Sequence, residues 1–226
     1  YSYISLVAFA LCLLYFSICV LQDKPEKVFY LLLFLLPFAC VFKVSPGSTS
    51  LYTYIELYGC FLIVLKYQNI KKIFLTIFLL YTVYTFWLCE NDITTLIKQC
   101  LIPLLVYYYF HNTNCTVESL VFSYTSGLLF SSLFGLFYNE IPNLTNYIEL
   151  DRAYELDGQV FRFSGLYNDP NYYSAAMILA LSCLLLLYIL GELKIPSIVL
   201  CVIIVLYGVQ TVSKSFIIML VSVYLI

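Results

Sequence analysis

The chain has 226 residues, 63% of them hydrophobic and 11% charged, with a net charge of −2 and a mean hydropathy of +0.94. This composition excludes a soluble globular domain and fits an integral membrane protein. The slight negative charge argues against nucleic acid as a partner.

Apolar runs of roughly 17–25 residues, at ~1.5 Å rise per residue, cover a ~30 Å hydrocarbon core. The two-residue alternation of an outer-membrane barrel is absent, so the expected class is an all-α, polytopic membrane protein. Eight spans and the start of a ninth are expected, at about 2–21, 28–44, 51–67, 73–89, 95–110, 119–138, 171–190, 196–211 and 215–226. Ser2–Leu21 has neither a basic n-region nor a small-residue cleavage site and is not read as a signal peptide. The chain starts and stops inside apolar runs, so it reads as one domain, 1–226, truncated at both ends. Its connections carry breakers such as Asp23-Lys-Pro25, Ser45-Pro-Gly-Ser48 and Glu90-Asn-Asp92, and are short enough to make neighbouring spans antiparallel.

Eight of the nine cysteines, all but Cys115, fall in or at the ends of apolar runs, where Cys acts as a small hydrophobe. With no CxxC, neither a metal site nor a redox function is expected, and no cofactor is implied. Lys24, Lys27, Lys66, Lys71, Lys72 and Lys194 mark one set of loops as cytoplasmic. Lys43, Lys98, Arg152, Arg162 and Lys214 then fall on the outer side, either snorkelling or serving an anionic, membrane-embedded substrate. Glu56 and Lys98 lie within apolar spans, where charge is costly; they form an ion pair or line one cavity floor.

The exception to the short connections is 139–170, an outward-facing segment long enough to be functional. Both arginines of the chain, Arg152 and Arg162, lie in it, together with Glu140, Glu149, Asp151, Glu155, Asp157 and Asp169. Arg162 offers a planar fork of donors suited to phosphate oxygens. Its alternative role is pairing with a loop carboxylate such as Asp157. Asp169 and Pro170 read as the N-cap and first residue of the helix that follows, and Asn171 lies in its first turn. A helix start of this kind also attracts anions. Gly165 lets the backbone turn between Arg162 and that helix. Tyr147, Tyr154, Phe161, Phe163, Tyr167, Tyr172 and Tyr173 flank these polar groups, either as an interfacial belt or as platforms for sugar rings.

Downstream, Thr211-Val-Ser213-Lys214-Ser215 breaks an apolar run that would be ~46 Å long as one helix. Ser213 is placed to cap the next helix, with Lys214 at the same outer face as Arg162. Arg152 joins Gly165, Asp169, Asn171 and Ser213 as a candidate substrate-binding residue. Arg162 and Lys214 are the candidate catalytic cations.

The run Arg162-Phe-Ser-Gly165-Leu-Tyr-Asn168-Asp169-Pro170-Asn171 resembles the R-x-S-G-(apolar)-(aromatic)-x-(D/N)-P-N pattern of the O-antigen polymerase and O-antigen ligase superfamily. Thr211-Val-Ser213-Lys214 is similar to that superfamily's T-x-S-R/K pattern, about two helices later. The resemblance covers roughly 120–226 and implies a polytopic glycosyltransferase at the outer face of the bacterial inner membrane. Its donor would be a polyprenyl-diphosphate-linked oligosaccharide, used without a metal. Arg162 would contact the pyrophosphate, assisted by Lys214. The expected reaction is polymerisation of repeat units for O-antigen, capsule or exopolysaccharide, alongside other polysaccharide-assembly proteins. The alternatives are ligation of the glycan to lipid A core and, in another class, transport or flipping of lipid-linked sugars. Glu149, Asp151, Glu155 and Asp157 are the candidate general bases.

Overall fold

A computed structural model describes residues 2–45, 47–66, 80–81, 83–84, 115–137, 140, 163–167, 169–191 and 195–224. Its named elements are α1 (Ser2–Leu21), α2 (Glu26–Leu35) followed by a 3-10 turn (Leu36–Phe38), α3 (Leu51–Lys66), α4 (Val117–Leu136), α5 (Pro170–Ile189), α6 (Ile195–Gln210) and α7 (Lys214–Tyr224). Strands are absent among the described residues. Tyr3–Leu21, Val117–Leu136 and Pro170–Ile189 are long and apolar enough to cross a membrane, and Leu51–Ile63 and Ile198–Gln210 are shorter apolar helices. The expected spans at 73–89 and 95–110 lie almost wholly outside the described residues.

Local chemistry explains where the helices begin. Thr116 sits in extended backbone (φ −89°, ψ 141°), and its hydroxyl accepts the Ser119 N–H that opens α4. Asp169 does the same for α5: its carboxylate accepts the Asn171 N–H at 2.6 Å, and Pro170 occupies the first helical position. The expected continuous span 28–44 is not observed. Its α-helix stops at Leu35 and tightens into the 3-10 turn around Pro37. Proline has no N–H to give the preceding turn, and its ring crowds the carbonyl four residues back.

The helices pack as two apolar clusters. Phe16, Cys19, Val28, Phe29, Ile55 and Ile63 form one between α1, α2 and α3. Leu128, Phe163, Tyr173, Met177, Leu184, Ile204 and Phe216 centre the other, among α4 to α7. Helix α2 joins the two by packing along α4. A Cβ on Gly127 would collide with the Phe34 carbonyl, so glycine is what allows the two backbones this approach. Phe34 also meets Phe130, and Phe38 meets Phe134 edge-on at 6.0 Å.

These pairings fix the sidedness of the chain. Tyr30 lies beside Cys115 and Ser119, and Phe38 beside Phe134, so α2 and α4 run parallel. Lys66, at the end of α3, pairs with Asp23 at 2.5 Å and donates to the Val20 carbonyl, bringing the ends of α1 and α3 to one face. The opposite face receives the ends of α2, α4 and α6 and the starts of α5 and α7. Among the described residues, the connection 22–25 and the turn 211–213 therefore lie on opposite faces.

Candidate functional site

The segment Phe163–Tyr167 lies over the ends of α4 and α6, immediately before α5. Its first residue is tied down twice. The Phe163 N–H donates to the Gln210 carbonyl at 3.1 Å, which uses one of the free acceptors at the α6 C-terminus. The Phe163 ring is buried between Tyr207, stacked at 5.7 Å, and Tyr173, edge-on at 5.5 Å. The Tyr167 N–H then closes a turn onto the Ser164 carbonyl at 2.9 Å. That turn passes through Gly165 at φ +58°, a left-handed conformation suited to glycine. Gly135 of α4 presses on the Gly165 backbone, where an added Cβ would stand 2.6 Å away.

The turn Thr211–Ser213 is built from its own hydroxyls. Thr211 donates to the Gly208 carbonyl at 2.7 Å and accepts the Ser213 N–H at 3.2 Å. Val212 is held at φ +49°, an uncommon conformation for a β-branched residue. Ser213 is 2% exposed and directly precedes α7, whose first residue, Lys214, is exposed to solvent.

The two motif segments meet at the start of α5. The Ser213 hydroxyl donates to Asn171 Oδ1 at 3.3 Å, contacts Ser215 Oγ at 2.6 Å and lies 3.4 Å from Ser174 Oγ. Ser174, 1% exposed, gives its hydrogen to the Asn171 carbonyl at 2.8 Å. One donor per hydroxyl then runs from Ser215 to Ser213 to Asn171. The positive ends of α5 and α7 are thereby fastened together at one face, with Lys214 at the rim. Such an arrangement stabilises negative charge.

Among the expected site residues, Gly165, Asp169, Asn171, Ser213 and Lys214 are gathered at this face. Asp169 faces its own helix as the N-cap, the ordinary role of Asp at that position. Ser213 directly precedes α7, but its hydroxyl bonds to Asn171 and Ser215 instead of to the backbone N–H groups it was expected to cap. Arg152, Arg162 and Asn168 lie outside the described residues, as do Lys98 and the candidate bases Glu149, Asp151, Glu155 and Asp157. Glu56 is half-buried on α3, within electrostatic reach of Tyr52 and Cys60. Among the described residues, no three His, Cys, Asp or Glu side chains converge as metal ligands would.

The aromatic residues divide. Tyr172 is 71% exposed and available to a ligand or an interface, whereas Phe163 and Tyr173 are core residues and present no face to a sugar. Burial, with Tyr124 and Cys40 beside it, holds the Tyr167 phenol well above its ordinary pKa. Ser174 escaped the sequence reading. Its signal was its place three residues after Asn171, on the same face of the helix. Compared with models of protein families, with curated proteins and with solved structures, the chain matches none.

Proposed function

We propose that this protein is a metal-independent membrane glycosyltransferase that polymerises polyprenyl-diphosphate-linked oligosaccharide repeat units at the outer face of the bacterial inner membrane. The observation that supports this reading is the hydrogen-bonded junction of two segments some forty residues apart, Asn171 to Ser213 and Phe163 to Gln210. Phe163, Asn171 and Ser213 lie in the two runs whose sequence resembles the polymerase and ligase superfamily, and Gln210 directly precedes the second. Their junction faces the side of the chain away from Lys24 and Lys66. Two helix starts and Lys214 can hold a diphosphate there, and Arg162, next to Phe163 in the chain, is the proposed bidentate partner. Neutralising the charge that develops on the departing polyprenyl diphosphate lowers the barrier to glycosyl transfer. A carboxylate of the 139–170 segment would take the proton from the acceptor hydroxyl.

Surface and envelope glycans from a strain lacking the gene test this reading. Loss of long chains with single repeat units retained supports the polymerase. Accumulated lipid-linked polymer with a bare lipid A core points to the ligase instead. Repeat units trapped on the cytoplasmic leaflet would point to a flippase.

A further inference from the structure

Tyr173 is the group on which the Phe163–Tyr167 segment rests. It is 0% exposed, so it touches no substrate. Its ring lies directly beneath Gly165, 2.7 Å from where a Cβ would stand, edge-on to Phe163 and 5.8 Å from the Tyr167 ring. Its hydroxyl meets Ser132 Oγ at 2.6 Å. Ser132, also 0% exposed, has one hydrogen and gives it to the Leu128 carbonyl at 2.7 Å. The tyrosine is therefore the donor, and the order of the bonds is fixed: Tyr173 to Ser132 to the α4 backbone. Three residues past Ser132, Gly135 meets Gly165 from the α4 side. One phenol thus connects the first turn of α5, the last turns of α4 and the underside of the turn leading into the proposed diphosphate site.

Resting on the polymerase reading, we propose that Tyr173 and Ser132 are positioning residues for glycosyl transfer. Their hydrogen bond sets the height and rigidity of the Phe163–Tyr167 turn against the starts of α5 and α7. Buried and away from the reacting atoms, the pair acts on the transition state through the turn and not on donor affinity, a pattern that lowers kcat and leaves KM alone.

Two measurements on the full chain in lipid nanodiscs test this. Hydrogen exchange reports the turn without reference to activity. In Tyr173→Phe, which keeps the ring and loses only the donor, the Phe163 and Tyr167 amides should exchange about 10-fold faster, with the interiors of α4 and α5 unchanged. Glycan elongation is then followed with lipid-linked repeat units extracted from the deletion strain. Tyr173→Phe and Ser132→Ala should each lower kcat about 10-fold, or ~1.4 kcal/mol, with KM within about twofold of wild type. The double variant should be no worse than the poorer single one, because the two hydroxyls act as a unit. Unchanged exchange in Tyr173→Phe, or faster exchange with unchanged kcat, overturns the proposal. A wild type that lengthens no glycan sinks the polymerase reading instead, and exchange alone then decides whether Tyr173 holds the turn.

Discussion

Replacing Gly165 by alanine should be among the most damaging single-methyl changes in this protein. Two costs add. At φ +58° an L-residue pays roughly 1–2 kcal/mol for its Cβ. The added methyl would also stand 2.7 Å from Tyr173 Cε2. That ring cannot yield, because Ser132 holds its hydroxyl and Phe163 packs against its edge. Overpacking of this kind costs about 1–3 kcal/mol. The expected total is therefore about 2–5 kcal/mol. Gly191 supplies the control: at φ +74° it carries the same backbone penalty, but its Cβ would meet nothing within 4 Å. Gly191→Ala should cost only the first term, roughly 1–2 kcal/mol. Both variants can be unfolded with SDS in mixed micelles alongside wild type. The difference between them isolates the contact with Tyr173. Equal losses for the two alanines would refute the placement of that ring beneath the turn.

On the proposed polymerase reading, Arg162→Lys should impair glycan elongation strongly at unchanged membrane abundance, and Arg162→Ala more so. Losing one or two charge-assisted bonds of about 1.5–3 kcal/mol slows transfer roughly 10- to 10⁴-fold. Arg152→Ala should do less, and full-length glycan from Arg162→Ala would remove Arg162 from the site. Gly127→Ala should destabilise by several kcal/mol, since its methyl meets Phe34 backbone that no rotamer change can clear; thermal stability in detergent reads this directly. Lys66→Met should cost about 1 kcal/mol or less despite losing Asp23, because that carboxylate is largely exposed; a larger loss would mean the carbonyl of Val20 depends on it. In a background without native cysteines, Val212→Cys should react with an impermeant maleimide in intact cells and Lys24→Cys only after permeabilisation, and the reverse result would invert the topology.

Some of this was legible in the residues themselves. Asp169-Pro170 announced the start of α5 because capping is local chemistry. The turn before Lys214 followed from a run too long for one bilayer crossing. The break at Pro37 was missed because Leu35, Leu36 and Phe38 are as apolar as any helix interior, and hydropathy does not register a missing N–H. Gly127 against Phe34 and Gly135 against Gly165 are contacts between distant parts of a nearly uniform apolar sequence, where one small residue looks like another until its partner is known. The aromatics near the site posed the same difficulty. Tyr172 and Tyr173 are neighbours on one helix, yet one faces outward and the other supports a turn.

The parallel seam between α2 and α4 bears on how the protein is made. The buried residues of the α1–α3 cluster run from Phe16 to Ile63, and all of them are synthesised before α4 begins. Gly127, which fits against Phe34, follows it by about ninety residues, so at roughly 5–20 residues per second the ribosome needs some 5–20 s to supply it. For that interval the face of α2 that α4 will cover is without it. The two halves then join through a notch only a glycine wide. A side chain at Gly127 would act at the union of the two clusters, where its Cβ would meet the Phe34 carbonyl.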